Sequence, residues 1–177
     1  VLALDPHTLT EVIETLLLVG ERTGAAGRAG QLVDQLQARL AAIERTVAGR
    51  PRPRVAVVEW VDPPFTAGHW VPDLVWAAGG EPVAASFAAR SVETTWPAIA
   101  GARPDVVVVA PCGYHLDGAA TQAEAVLDQL PPVPVWAIDA DGIIVRPGPR
   151  VVEGVEALAA VLHRLPLPPS AVRLIRP

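Results

Sequence analysis

Lysine is absent from the sequence, and all 14 basic residues are arginine. That points to codon bias rather than chemistry. Methionine is absent too, and the chain opens on Val1. A primary translation product begins with Met, so the sequence reads as a processed product or a fragment. Any export signal is expected to have gone with the missing part. Residues 1–6 look like the end of a strand entering a helix, as though a domain were joined midway. A single cysteine, Cys112, excludes an internal disulfide framework and a multi-Cys metal site. No run of about 18 apolar residues occurs, which excludes a transmembrane helix. The net charge of -5 argues against a nucleic-acid partner. No Gly-rich phosphate loop is present, because the glycines at 24–30 precede a helix but follow no strand. There is no internal repeat.

Apolar residues make up 51% of the 177 residues and charged ones only 19%, so one domain with a substantial core is expected, not disorder. Asp5, Pro6 and Thr8 offer helix-start chemistry. Leu9, Val12, Ile13, Leu16 and Leu17 then repeat at helical spacing, with Gly20 as the stop. Leu32, Val33, Leu36, Leu40, Ile43 and Val47 mark a second, long helix with a narrow apolar stripe. From Val55 the pattern changes to strand and helix in alternation. Strands are expected at 55–60, 82–86, 105–110 and 134–138, with a short extended piece at 142–145. Helices are expected from 69 or 70 to 78, from Thr95 as cap, over 117–130, and through Val152 to Leu162. The proline-rich residues from 165 onward read as a tail. Alternation with continuous Val and Ile runs implies an α/β fold, a parallel sheet with helices on both faces.

In such sheets ligands sit beyond the carboxyl ends of the strands. Three strand ends converge there: W-V-D-P-P-F at 60–65, A-P-C-G-Y at 110–114, and Asp139 to Asp141 with Arg146 beyond. Pro63 and Pro64 remove two backbone donors, so residues 60–70 read as neither strand nor helix. Trp60, Phe65 and Trp70 form either a platform for a large ring system or a plug over the sheet. His69 either hydrogen-bonds a polar ligand or coordinates a metal centre, or it caps its own loop. Cys112 is either a nucleophile served by His115 or His69, or a buried thiol. Arg146 either clamps an amide or phosphate or lies in solvent. Asp139 and Asp141 either pair with Arg146 or make the turn at Gly142.

Taken in order, W-V-D-P-P-F-T-A-G-H-W-V-P-D-L from 60, Gly79-Gly80, Thr95-Trp96, A-R-P-D-V-V-V-V-A-P-C-G-Y from 102 and R-P-G-P-R from 146 resemble a known family. They are similar to the C-terminal half of the cobalamin-binding substrate-binding proteins of ABC importers. That is the helical-backbone (class III) group, which also serves siderophores and haem. The resemblance covers about residues 1–164; the blocks at 60–72 and 103–114 are its specific part. It implies two α/β lobes joined by one long helix, with the ligand between them. On this reading 1–23 is a remnant of the first lobe, 24–53 the connecting helix and linker, 54–164 the C-terminal lobe and 165–177 the tail.

The resemblance implies recognition rather than turnover, with cobalamin as cargo and not as a resident cofactor. The loop at Asp62, Pro64 and Phe65 would line the cleft, and the 139–146 segment would give polar contacts through Arg146 and an aspartate, Asp139 or Asp141. Together with the rim, the expected ligand residues are Trp60, Asp62, Pro64, Phe65, His69, Trp70, Tyr114, Asp141 and Arg146. Some relatives carry an aromatic residue where this chain has Gly142-Ile143-Ile144. Glu93 is the nearest match to the family's permease-docking acids. The implied partners are a corrinoid, an ABC permease and the missing first lobe, in an extracytoplasmic setting. Exposed rim aromatics would favour a homodimer of the fragment or an exchange of helices, through residues 1–48. A haem or siderophore binder of the same class, or a Cys112-dependent hydrolase or transferase, are the alternatives.

Overall fold

Val55 to Val58 and Val106 to Val109 are β-branched or small apolar runs that only a sheet covered on both faces can bury. A computed structural model, describing residues 1–166 and 170–177, places them side by side at the sheet centre. The elements in chain order are α1 (Leu9–Arg22), α2 (Ala26–Val47), β1 (Arg54–Val61), β2 (Pro64–Thr66), α3 (Val71–Ala77), β3 (Glu81–Pro82) and α4 (Trp96–Gly101). There follow β4 (Val106–Val109), α5 (Leu116–Ala125), a 3-10 turn (Leu127–Gln129), β5 (Val135–Ile138), α6 (Ala140–Ile143), α7 (Val151–His163) and β6 (Val172–Arg176). The sheet order is β2-β1-β4-β5-β6, with β3 also beside β1. The pairs β1–β4, β4–β5 and β1–β3 are parallel, while β2 and β6 run antiparallel at the edges. This is the α/β architecture that the sequence implies.

Alternation along the strands separates two apolar layers. Val55, Val57, Val108 and Ile138 face α1, α2, α3 and α7. Ala56, Val58, Val107, Val109 and Ala137 face α4 and α5. Leu74, Ile138, Ile144 and Leu158 are each no more than 1% exposed. Burying such a side chain contributes about 1.5–3 kcal/mol.

Local chemistry sets the element ends. Thr8 and Glu11 form a reciprocal capping box at the start of α1. Asp73 on α3 accepts the Leu9 N–H at 2.9 Å, tying the first helix to the sheet layer. Arg39 makes a two-pronged ion pair to Glu156, at 2.8 and 2.7 Å, which holds α2 on α7. The long helix therefore lies along the lobe.

The structure departs from the sequence reading at several places. Residues 1–6 contain no strand, and the strand expected at 82–86 is reduced to Glu81–Pro82. Gly20 does not end α1 but lies inside it, where it packs against Ala29 of α2. Residues 64–66 are not loop: β2 folds back on β1, with Trp60 opposite Phe65. Pro64 sits at the first strand position, where the missing N–H costs least. Residues 142–145 are not extended, because Asp139 accepts the Gly142 N–H at 3.0 Å and caps the single turn of α6. The region after 165 is not all tail. Residues 167–169 lie outside the described residues, but Val172–Arg176 completes the sheet beside β5.

Candidate functional site

The carboxyl ends of β1, β4 and β5 open on one rim. Trp60 is 39% exposed there and donates its indole N–H to the Asp62 carbonyl at 3.0 Å. Its ring centre stands 6.1 Å from that of Tyr114, tilted by 50°, an ordinary aromatic pairing distance. Tyr114 follows β4, and β2 sets Phe65 beside Trp60. Glu59, Trp60, Phe65, Ser91 and Cys112 line a shallow cavity of about 300 Å³. A second cavity of about 310 Å³ shares Glu59, Ser91 and Cys112 and adds Asp5, Pro6, His69, Trp70, Val145 and Pro147.

The third side is polar. Arg146 pairs with Asp141: its Nε–H donates to one carboxylate oxygen at 2.7 Å, and its Nη2 lies 2.7 Å from the other. The Asp141 N–H donates to the Tyr114 carbonyl at 3.0 Å, which couples this pair to the aromatic side. His115 donates from Nδ1 to Asp139 at 2.8 Å, and its Nε2 lies 3.7 Å from Asp141. Asp141, rather than the capping Asp139, is thus the aspartate that meets Arg146.

The remaining candidates fall in different places. Asp62 is exposed on the turn, and Pro64 is buried within β2. Trp70 is only 8% exposed and donates its indole N–H to the Ile144 carbonyl at 2.8 Å. It works as a strut and shows one edge to the second cavity. His69 has φ of 49°, and its ring lies 5.4 Å from His7 and 5.8 Å from Trp70. Burial, then the neighbouring His7, lowers its pKa and favours neutral imidazole. Glu93 is exposed and bridges to Phe65 at the sheet edge.

Cys112 is not set up as a nucleophile. The residue is exposed rather than buried, but its thiol is partly desolvated, and that and then the Glu59 carboxylate push it up to about 11. His115, the base nearest in sequence, is turned to Asp139 and Asp141. Among the described residues no cluster of three or more His, Cys, Asp and Glu is placed to hold a metal ion. No helix among them is long and apolar enough to cross a membrane.

Sequence reasoning missed the polar floor. Glu59 is 6% exposed and accepts the Gly68 N–H at 2.9 Å and a short hydrogen bond from the Ser91 hydroxyl. Its burial raises its pKa, an effect those two hydrogen bonds oppose. The signal was a lone charge at the end of an apolar strand. Ser91 carried none, since its position depends on the path of residues 83–95.

The lobe is thus a mostly parallel sheet whose strand ends open into aromatic and polar cavities. Residues 1–140 match the model of the periplasmic binding protein family, and the chain belongs to that family. No curated protein matches it. Among solved structures it is similar to a periplasmic haem binding protein from Pseudomonas aeruginosa, at TM-score 0.74 and 21% identity, over 89% of this chain and 61% of that one. It is similar to the periplasmic vitamin B12 binding protein of Vibrio cholerae, at TM-score 0.65 and 20% identity, over 92% and 64%. A third likeness is to an ABC-type Fe3+-hydroxamate transport system protein from Saccharomonospora viridis, at TM-score 0.62 and 23% identity, over 90% and 57%. At these identities the likeness is one of fold. The chain spans about three fifths of the length of these relatives.

Proposed function

We propose that this chain is a ligand-recognition lobe that delivers cobalamin or a related corrinoid to an ABC permease outside the cytoplasm. The observation that carries the reading is the rim itself: the Trp60–Tyr114 pair with Phe65 on one side and the Asp141–Arg146 pair on the other. An apolar wall with a few placed polar groups suits a large ring edged with amides. The aromatics would cover a ring face or edge, and Asp141 and Arg146 would meet side-chain amides or a phosphate. The likeness to the Vibrio cholerae vitamin B12 binding protein supports this. The other two likenesses support a haem or ferric siderophore ligand with equal weight, and that is the second reading.

On either reading the task is recognition, not turnover, and the ligand is cargo rather than a resident cofactor. A protonated Cys112 without a histidine base supports that view over a hydrolase or transferase. The part of the relatives that this chain does not span would supply a second wall for the ligand. When residues 1–177 are studied by themselves, a second copy of the chain would cover Trp60 and Phe65 and give a homodimer.

Titrating the full-length protein, with both walls of the cleft present, with cyanocobalamin, haemin and a ferric hydroxamate in one calorimetric series tests the proposal. The corrinoid is expected to saturate at the lowest concentration. Saturable binding of haemin or the hydroxamate with none of cyanocobalamin would transfer the site to the second reading. No saturable binding of any of them would sink both.

A further inference from the structure

Glu59 is one of two buried polar side chains, with Thr66, among the described residues. It is the acid common to both rim cavities. A carboxylate offers about four acceptor positions. The Gly68 N–H and the Ser91 hydroxyl occupy two of them, which leaves acceptor capacity toward the cavities. No cation pairs with Glu59 among the described residues. The shallow cavity contains no other acid and no base of the Arg or His type. The deeper one adds Asp5 and His69, whose imidazole is held toward its neutral form. Arg146, the nearby guanidinium at the rim, is already committed to Asp141. The floor therefore has acceptors and negative charge, and no arginine lines either cavity.

We propose that Glu59 selects the ligand by charge, so that the floor takes a neutral group with N–H donors, such as a carboxamide, and refuses a carboxylate. This rests on the reading of the rim as a ring-ligand site and decides between its two versions. A carboxamide donates to the free acceptor position of Glu59, a charge-assisted hydrogen bond. A carboxylate set there meets a like charge in a region poor in water, where the repulsion is weakly screened. Discrimination of this kind comes from the repulsive element as much as from the attractive one.

The pH dependence has a definite sign. Desolvation raises the Glu59 pKa above the 4.5 of a free side chain. Lowering the pH toward that value therefore neutralises Glu59 and relaxes the refusal. The other titratable or charged groups facing it are Asp5 on the N-terminal segment, His69 on the turn before α3, Arg90 beside Ser91, and Cys112 beyond β4.

The experiment is a pair of titrations on the full chain and its Glu59→Gln variant, with cyanocobalamin (neutral side-chain amides) and haemin (two carboxylates) as probes, at pH 8 and pH 5. The variant is expected to bind haemin about tenfold more tightly at pH 8 and cyanocobalamin about threefold to tenfold more weakly. The gain on haemin is expected to be smaller at pH 5 than at pH 8, because the raised pKa lets the wild-type side chain gain protons as the pH falls. Equal haemin affinity of the two proteins at pH 8, or a change of the same sign for both ligands, would overturn the proposal. If wild type prefers haemin yet the variant still gains on it, the charge selection stands and the corrinoid reading falls. If neither protein binds either probe, both fall.

Discussion

Gly68→Ala is expected to destabilise the protein by on the order of 3 kcal/mol, lowering the midpoint of thermal unfolding by roughly 10 °C. A Cβ at this position would stand 2.6 Å from the Arg90 carbonyl carbon and 2.7 Å from the Ser91 Cα, with the Ser91 nitrogen closer still. All three are backbone atoms, so no side-chain rotation relieves the overlap. The two segments are also stitched together: His69 donates to the Ala89 carbonyl at 2.5 Å and Ser86 to the Ala67 carbonyl at 2.9 Å. Pushing them apart also breaks the Glu59 bridge between Gly68 and Ser91. A buried carboxyl would then lose its donors, a penalty beyond that of overpacking alone. Gly30→Ala is the control. It lies inside α2 with no heavy atom within 4 Å of the added carbon, so a gain of about 0.5–1 kcal/mol is expected. Calorimetric melts of the two variants against wild type decide the matter. A Gly68→Ala protein as stable as wild type would show that the close approach is not required.

Trp60→Ala is expected to have the opposite profile, a large loss of affinity with little loss of stability. The indole is 39% exposed, and its polar contact is a single hydrogen bond to the Asp62 carbonyl. Removing it deletes one face of the shallow cavity and leaves Tyr114 without its partner. Aromatic anchors of this kind cost about 2 kcal/mol or more when truncated, roughly a 30-fold weaker Kd for the ring ligand. The fold should stay within about 1 kcal/mol of wild type, since the indole belongs to neither apolar layer among the described residues. Ligand titration with a parallel melt checks both halves. An affinity within threefold of wild type would remove Trp60 from the site.

Much of this was legible in the sequence where residue chemistry alone fixes local structure. The runs at 55–58 and 106–109 have no alternative but a doubly covered sheet. Thr8 and Thr95 cap helices as their side chains dictate. Parallel strands then place Trp60, Tyr114 and Asp141 at one end by topology. What was not legible depended on competition. Gly142-Ile143-Ile144 has β character, yet the Asp139 side chain wins that stretch for a helical turn. Val172–Arg176 hides behind prolines, and only the unpaired edge of β5 calls it into the sheet. Trp70 looks like a binding aromatic, but its indole N–H finds a buried carbonyl and turns it into a strut. The Glu59–Gly68–Ser91 bridge spans 32 residues and is invisible without the path of the intervening chain.

Hydrogen–deuterium exchange with and without saturating cyanocobalamin tests the central claim most directly, because it reports where the ligand lies. Protection is predicted at residues 59–69, 112–115 and 139–146, on the strand ends that form the rim. Protection confined to the groove at the amino end of β1, around Gln37, Arg52 and Trp76, would contradict it, as would no protection anywhere.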